Sequence, residues 1–506
     1  MVVRLTKTLG TLAIVTLVFV YVQYRSPFIT VSPDSIRFMD VWQVNVDQAR
    51  RAGGNPVIGA ARAIRASLKA TNTGDMNRGR LVQNVLYGID GLTRWMLPSP
   101  TINAWMILLL IINSALIAWV GTQMVPDPSV RVNMFCLGWF ALTTSALTFT
   151  PAILLILYAK YAFVAFVLAS FVARRPAIKL TWLVVAAITD EIGLFCALFI
   201  LWLSVFRFAL VRKEGDPRCE RPAIIRVARA CSLGTLASIV GLLTFYGTWA
   251  LVFGVGATGF RSLTRGSVSR AKGLLTIAYG LLWRAEVLVV GLPLRHWFMT
   301  CLFGSIMLAV IVAGIWKATR PFLGRTGGEG PRLDDRLYRW LGDEKGFFYT
   351  FWVVILLLIA VIVLPGGAGD YTQYSYPAAA VLSVLFIRAL VDVLSTRWVY
   401  SVLAVVLVAH VCLLPRAVVA TSSSLERYLL PDQTVTKADL DTINMSVMEF
   451  REKGHSPIFD KFNNGQELSA GTWYYSRISG YGPAAVPHFP VLGTVRVLAW
   501  PYFRYP

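Results

Sequence analysis

The chain has 506 residues, 56% of them hydrophobic and only 15% charged, with a mean hydropathy of +0.60. That balance excludes a soluble globular protein with a polar exterior and implies an all-α polytopic membrane protein. The net charge of +21 does not point to nucleic acid, because the lysines and arginines fall in loops between apolar runs, where cytoplasmic positive charge sets orientation.

A helix needs about 20 apolar residues to cross the hydrocarbon core, and windows of that length give about ten full crossings plus one short or broken one. Arg4 and Lys7 precede the apolar run Leu9 to Tyr24, which has no small-residue cleavage site. It reads as a retained signal anchor with a cytoplasmic N-terminus, so residues 25–100 are expected outside. That loop holds ten Lys/Arg and five Asp, a surplus of positive charge that long loops tolerate on translocation. Within it, residues 55–70 set apolar positions at helical spacing against Arg62, Arg65 and Lys69, the pattern of an amphipathic helix lying in the interface.

Ile102 to Thr122 returns inward and Asn133 to Thr150 goes out, with a hairpin at Pro151. Ala152 to Val172 comes back in, carrying Lys160 and Tyr161, and Arg174, Arg175 and Lys179 mark the inner face. The following apolar body is too long for one crossing and is broken by Asp190-Glu191. Two adjacent carboxylates are costly in lipid, so a short helix to Thr189, a turn on the outer side and a full span to Val211 are expected.

Six basic residues in 212–231 mark another cytoplasmic loop. Ser232 to Gly254 exits; 255–296, with Arg261, Arg265, Arg270 and Lys272, is expected outside as amphipathic helices on the membrane rim. Trp297 to Trp316 runs inward to a loop with seven basic residues between Lys317 and Lys345. Phe347 to Leu364, Val381 to Leu394 and Trp398 to Leu414 complete the spans, and residues 415–506, with no long apolar run, form a small extracytoplasmic tail.

The six cysteines include no CxxC spacing and the four histidines are scattered, so neither a zinc site nor a histidine-built metal centre is expected. Any metal would be held by carboxylates, as a hard ion such as magnesium or manganese. The acids stand out at two places: Asp34 and Asp40 in the first outer loop, and the Asp190-Glu191 pair. Parity puts both on one side of the membrane, and the two acidic points are expected to face each other across one cleft.

Four features, taken with the topology, resemble the GT-C superfamily of membrane glycosyltransferases. They are the acid motif Pro33-Asp34-Ser35 running to Asp40; the GR element Asp75-Met76-Asn77-Arg78-Gly79-Arg80; the acid at the outer end of a short helix, Thr189-Asp190-Glu191; and the aromatic-proline turn Asp370 to Pro377. That last turn carries Gln373 where relatives often have arginine, which weakens it as a phosphate site. The resemblance implies a GT-C-like fold in the bacterial inner membrane and transfer of a sugar, with inversion, from a polyprenyl-phosphate carrier to an envelope glycan or lipid on the outer face.

Such a transfer needs a carboxylate to take the acceptor hydroxyl's proton as the glycosidic bond forms. Asp34 is the candidate base, with capping of a short helix as its structural alternative, and Asp40 is a supporting acid. Asp190 and Glu191 would orient sugar or acceptor, or hold a divalent ion with Asp34; their alternative is a helix-breaking turn. Arg78 and Arg80 would stabilise the departing phosphate, whereas the 261–272 cluster fits anionic lipid head groups better. Trp42, beside the acid motif, would stack on a sugar ring. Two rivals stand beside this reading: an O-antigen polymerase- or ligase-like enzyme, and a transporter or flippase of lipid-linked glycans, for which Lys160, Arg284, Glu286, Arg388 and Asp392 speak as charges within apolar runs.

Overall fold

The computed structural model describes residues 2–25, 30–31, 104–145, 154–155, 159–211, 223–253, 297–323, 340–363, 372–429 and 498–499, with scattered positions in 54–62, 81–89 and 281–289. These residues form an α-helical bundle: α1 (Val2–Arg25), α2 (Ala104–Thr122), α3 (Pro128–Thr143), α4 (Ala159–Val172), α5 (Pro176–Ala187), α6 (Glu191–Val211), α7 (Ala223–Phe253), α8 (Trp297–Leu323), α9 (Glu344–Val363), α10 (Thr372–Val393) and α11 (Thr396–Leu429). Three two-residue strands, β1 (Thr30–Val31), β2 (Leu154–Leu155) and β3 (Leu498–Ala499), pair in parallel in the order β2-β1-β3.

Among the described residues, α2, α6, α7, α8, α10 and α11 are long and apolar enough to cross a membrane. The outer faces of the bundle say the same. Leu236, Leu243 and Leu251 on α7, Val312 and Trp316 on α8, and Val405 and Val408 on α11 are all exposed. Apolar surface spread over three long helices is a liability in water and the normal lipid-facing surface of a membrane protein.

Aspartates start several of the helices. Oδ1 of Asp127 accepts the amide hydrogens of Ser129 (2.7 Å) and Val130 (3.3 Å), with Pro128 at the first helical position of α3. Oδ2 of Asp343 accepts those of Lys345 and Gly346, both at 2.9 Å, ahead of α9. The same device recurs at α6, described below.

At the centre runs α10, buried almost all round from Tyr376 to Leu390 and packed by α2, α4, α8 and α9. A helix apolar on every face belongs in such a place. Close approach is bought with small residues: a Cβ on Gly314 of α8 would lie 2.7 Å from both the Ala389 Cβ and the Tyr349 hydroxyl. The periphery is α7, which packs along α6.

Several helices outrun the apolar windows. α7 begins nine residues before Ser232, α10 nine before Val381, and α11 continues to Leu429, into the stretch expected as tail. The cause is common to all three: a hydropathy window stops where charge or polarity begins, but helical hydrogen bonding does not. In 255–296, positions 281, 282, 285, 288 and 289 are helical. Ala285 and Leu288 are buried, and the Leu282 carbonyl lies where a Cβ on Gly304 of α8 would be, so these positions pack into the bundle wall.

Near the start of α9 and the end of α10, Arg388 and Asp392, one turn apart, form a buried pair in which Nε donates to Oδ2 at 2.8 Å and Nη2 to Oδ1. Tyr349 donates to Oδ2 at 2.9 Å, and the Lys345 ammonium stands 3.2 Å from Oδ1. Two of the charges that spoke for transport are thus a structural tie between α9 and α10. Tyr349→Phe should lower stability by about 1.5–3 kcal/mol, the usual worth of a hydrogen bond to a charged group, read as a shift in the unfolding midpoint of the detergent-solubilised protein.

Candidate functional site

The break between α5 and α6 follows from its residues. α5 has twelve residues, about 18 Å at 1.5 Å per residue, roughly half a membrane's thickness. It closes with the amide of Ile188 bonded to the Val184 carbonyl and that of Thr189 to Ala186, while the Thr189 hydroxyl caps Val185 at 2.6 Å. Asp190 then opens α6: its Oδ1 accepts the Ile192 amide hydrogen at 3.0 Å and its carbonyl accepts that of Leu194. The turn is also tightly packed, since a Cβ on Gly193 would fall 2.2 Å from the Ala186 carbonyl oxygen and 3.1 Å from the Phe163 Cβ. Gly193→Ala should therefore cost about 1–3 kcal/mol by overpacking, measurable as a lowered melting temperature.

Across this turn stands Lys160, in the first turn of α4. Its ammonium lies 2.7 Å from each carboxylate oxygen of Asp190, and the two side chains are 3% and 0% exposed. A buried carboxylate held bidentately by an ammonium and by a helix-start amide is a satisfied charge, tolerable in an apolar bundle. Next to Lys160, Tyr161 is fully buried, its carbonyl accepting Nδ2 of Asn113 from α2 at 3.0 Å and its ring packed 4.6 Å from that of Tyr376 on α10. Among the described residues the Tyr161 hydroxyl has no hydrogen-bond partner. Polar groups of α2, α4, α6 and α10 thus gather at the start of α4, where α5 ends and α6 begins.

The first loop reaches the same end at two points. β1 pairs with β2 in the register Thr30↔Leu154 and Val31↔Leu155; Val31 is three residues before Asp34, and Leu155 five before Lys160. The amide of Val82, two residues after Arg80, donates to the Ile188 carbonyl in the α5–α6 turn at 3.3 Å. β3 adds to the other side of β1, with Thr30↔Leu498, bringing part of the tail alongside.

Of the sequence-predicted residues, Asp190 is at the helix break expected for it. Asp34, Asp40, Trp42, Arg78 and Arg80 lie outside the described residues, as does the side chain of Glu191. The segment leading to Asp34 pairs with β2, which ends five residues before Lys160, and the segment leaving Arg80 meets the α5–α6 turn. Lys160, read in the sequence as a stray charge within a span, is instead the partner of Asp190. No local signal marks the pairing, because the sequence places Lys160 partway along the Ala152 to Val172 run, thirty residues from Asp190.

Among the described residues no three His, Cys, Asp or Glu side chains come together as a metal site. Asp190 itself suits a divalent ion poorly, because both oxygens face an ammonium that would have to be displaced and would repel the incoming cation. His410, buried on α11, has Nδ1 2.9 Å from the Ala141 carbonyl oxygen, tying α11 to α3. No family model, no curated protein and no solved structure matches this chain.

Proposed function

We propose that the chain is a membrane glycosyltransferase of the GT-C kind, moving a sugar with inversion from a polyprenyl-phosphate carrier to an envelope glycan or lipid on the extracytoplasmic face of the bacterial inner membrane. In this reading Asp34 is the base that takes the acceptor's proton, with Asp40 supporting it. Arg78 and Arg80 stabilise the phosphate as the sugar leaves, and Trp42 and Glu191 contact the sugar or acceptor. Asp190 acts through Lys160 as a positioning residue, fixing the α5–α6 turn beside which Glu191 begins its helix.

One observation carries the reading. The first-loop chain comes to this part of the bundle twice, once in β1, which ends three residues before Asp34 and pairs with β2 ahead of α4, and once two residues after the GR element, at the α5–α6 turn. A transfer site of this type needs a carboxylate for the acceptor and cations for the leaving phosphate within one pocket, and those two motifs flank such a meeting point.

The test is direct. Purified protein in liposomes is supplied with a polyprenyl-phosphate-linked radiolabelled sugar and an extract of envelope lipids and glycans. Release of polyprenyl phosphate with label on an acceptor is the expected result. Label moved across the bilayer on an uncleaved carrier would replace transfer with transport, and growth of a repeating glycan would replace it with polymerisation.

A further inference from the structure

At the opposite end of the bundle from Asp190, a cleft of about 580 Å³ runs between α1, α3 and α11. That volume lies within the roughly 300–1,000 Å³ of small-ligand sites. Its walls are graded. At one end the Lys7 ammonium donates to Oδ1 of Asn133 at 2.7 Å, with Thr11 and Tyr400 close by; deeper along the parallel helices α1 and α3, Ile14, Leu137 and Phe140 line it. From Lys7 to Ile14 is about 10 Å along the helix axis.

Two further facts bear on what fills it. Gly10 sits on the wall and a Cβ there would meet nothing within 4 Å, so the cleft is open space where α1 could have presented a side chain. Lys7 is exposed and has three N–H donors, one of them on Asn133. Among the described residues no carboxylate pairs with it. One turn away Arg4, exposed, adds a second positive charge at the mouth.

We propose that this cleft holds one anionic glycerophospholipid, its phosphodiester against Lys7 and one acyl chain between α1 and α3 along Gly10 and Ile14. The occupant follows from the gradient. A membrane lipid is charged at the interface and apolar below it over the same distance, and a cationic mouth selects an anionic head group over a zwitterionic one. Neutral apolar partners would have no use for Lys7. The site is remote from the acid cluster and independent of the transferase reading.

The full-length protein, reconstituted in nanodiscs of equal phosphatidylglycerol and phosphatidylcholine and released into mild detergent, is weighed intact by native mass spectrometry. The wild type should retain one phosphatidylglycerol, about tenfold in excess of phosphatidylcholine, a difference that a single ionic contact supplies. Arg4→Gln/Lys7→Gln should abolish that preference. Gly10→Phe should reduce retention of both lipids at least about tenfold, with the melting temperature unchanged because the added ring enters empty space. A phosphatidylglycerol bearing a diazirine in its acyl chain should label the wild type between Gly10 and Ile14 or between Cys136 and Phe140, a readout that needs no variant. Equal retention in all three proteins, labelling elsewhere, or a dimer mass in place of a lipid adduct would overturn the proposal, the last by assigning the cleft to a second copy of the chain.

Discussion

Replacing Lys160 with methionine should destabilise the bundle by about 3–5 kcal/mol, the cost of stranding one member of a buried ion pair. Asp190 would keep the Ile192 amide and lose the ammonium that now faces both its oxygens at 2.7 Å, with no water to replace it at 0% side-chain exposure. Asp190→Leu should cost a similar amount from the other side, by taking away the carboxylate that now lies 2.7 Å from the ammonium. The double variant Lys160→Met/Asp190→Leu is expected to return to within about 1–2 kcal/mol of the wild type. Exchanging a whole buried pair for apolar groups is often neutral or stabilising, while the loss of the aspartate cap on α6 costs about 1 kcal/mol. Unfolding of the four proteins in mixed micelles gives the coupling free energy of the cycle. A coupling near zero would mean that the two charges do not sense each other in the folded protein, and the site would lose the tie that joins α4 to the α5–α6 turn.

The membrane class and most helix positions were legible because lipid makes one demand, a long apolar run, that composition records directly. The helix break at Asp190 was legible for the converse reason: two acids inside such a run have no inexpensive place except at an end or in a polar pocket. What the acid does there was not legible. Asp190 and Lys160 lie thirty residues apart, and nothing local marks them as partners; only the antiparallel return of α4 and the half-length of α5 bring them together. Arg388 and Asp392, by contrast, stand at the i,i+4 spacing of a helical ion pair, so their pairing could have been read from the sequence. Helix ends were the other loss, since α7, α10 and α11 carry on past the apolar windows through residues that are polar but still helical.

Asp34→Ala should reduce sugar transfer by about 10²–10⁴-fold, the range for loss of a positioned general base, equivalent to about 2.7–5.5 kcal/mol in the barrier. The same substitution would also remove a helix cap, if that were the residue's only task, and could then lower activity by loosening the loop. Asp34→Asn separates the two. Asparagine caps a helix about as well as aspartate, yet cannot accept the acceptor's proton near neutral pH. The expected pattern is that Asp34→Asn is as inactive as Asp34→Ala while melting at the wild-type temperature. If Asp34→Asn turned over at the wild-type rate, Asp34 would be a cap, and the proton would have to go to Asp40 or Glu191. The Lys160–Asp190 pair would not serve, because its carboxylate is already held by an ammonium and a backbone amide.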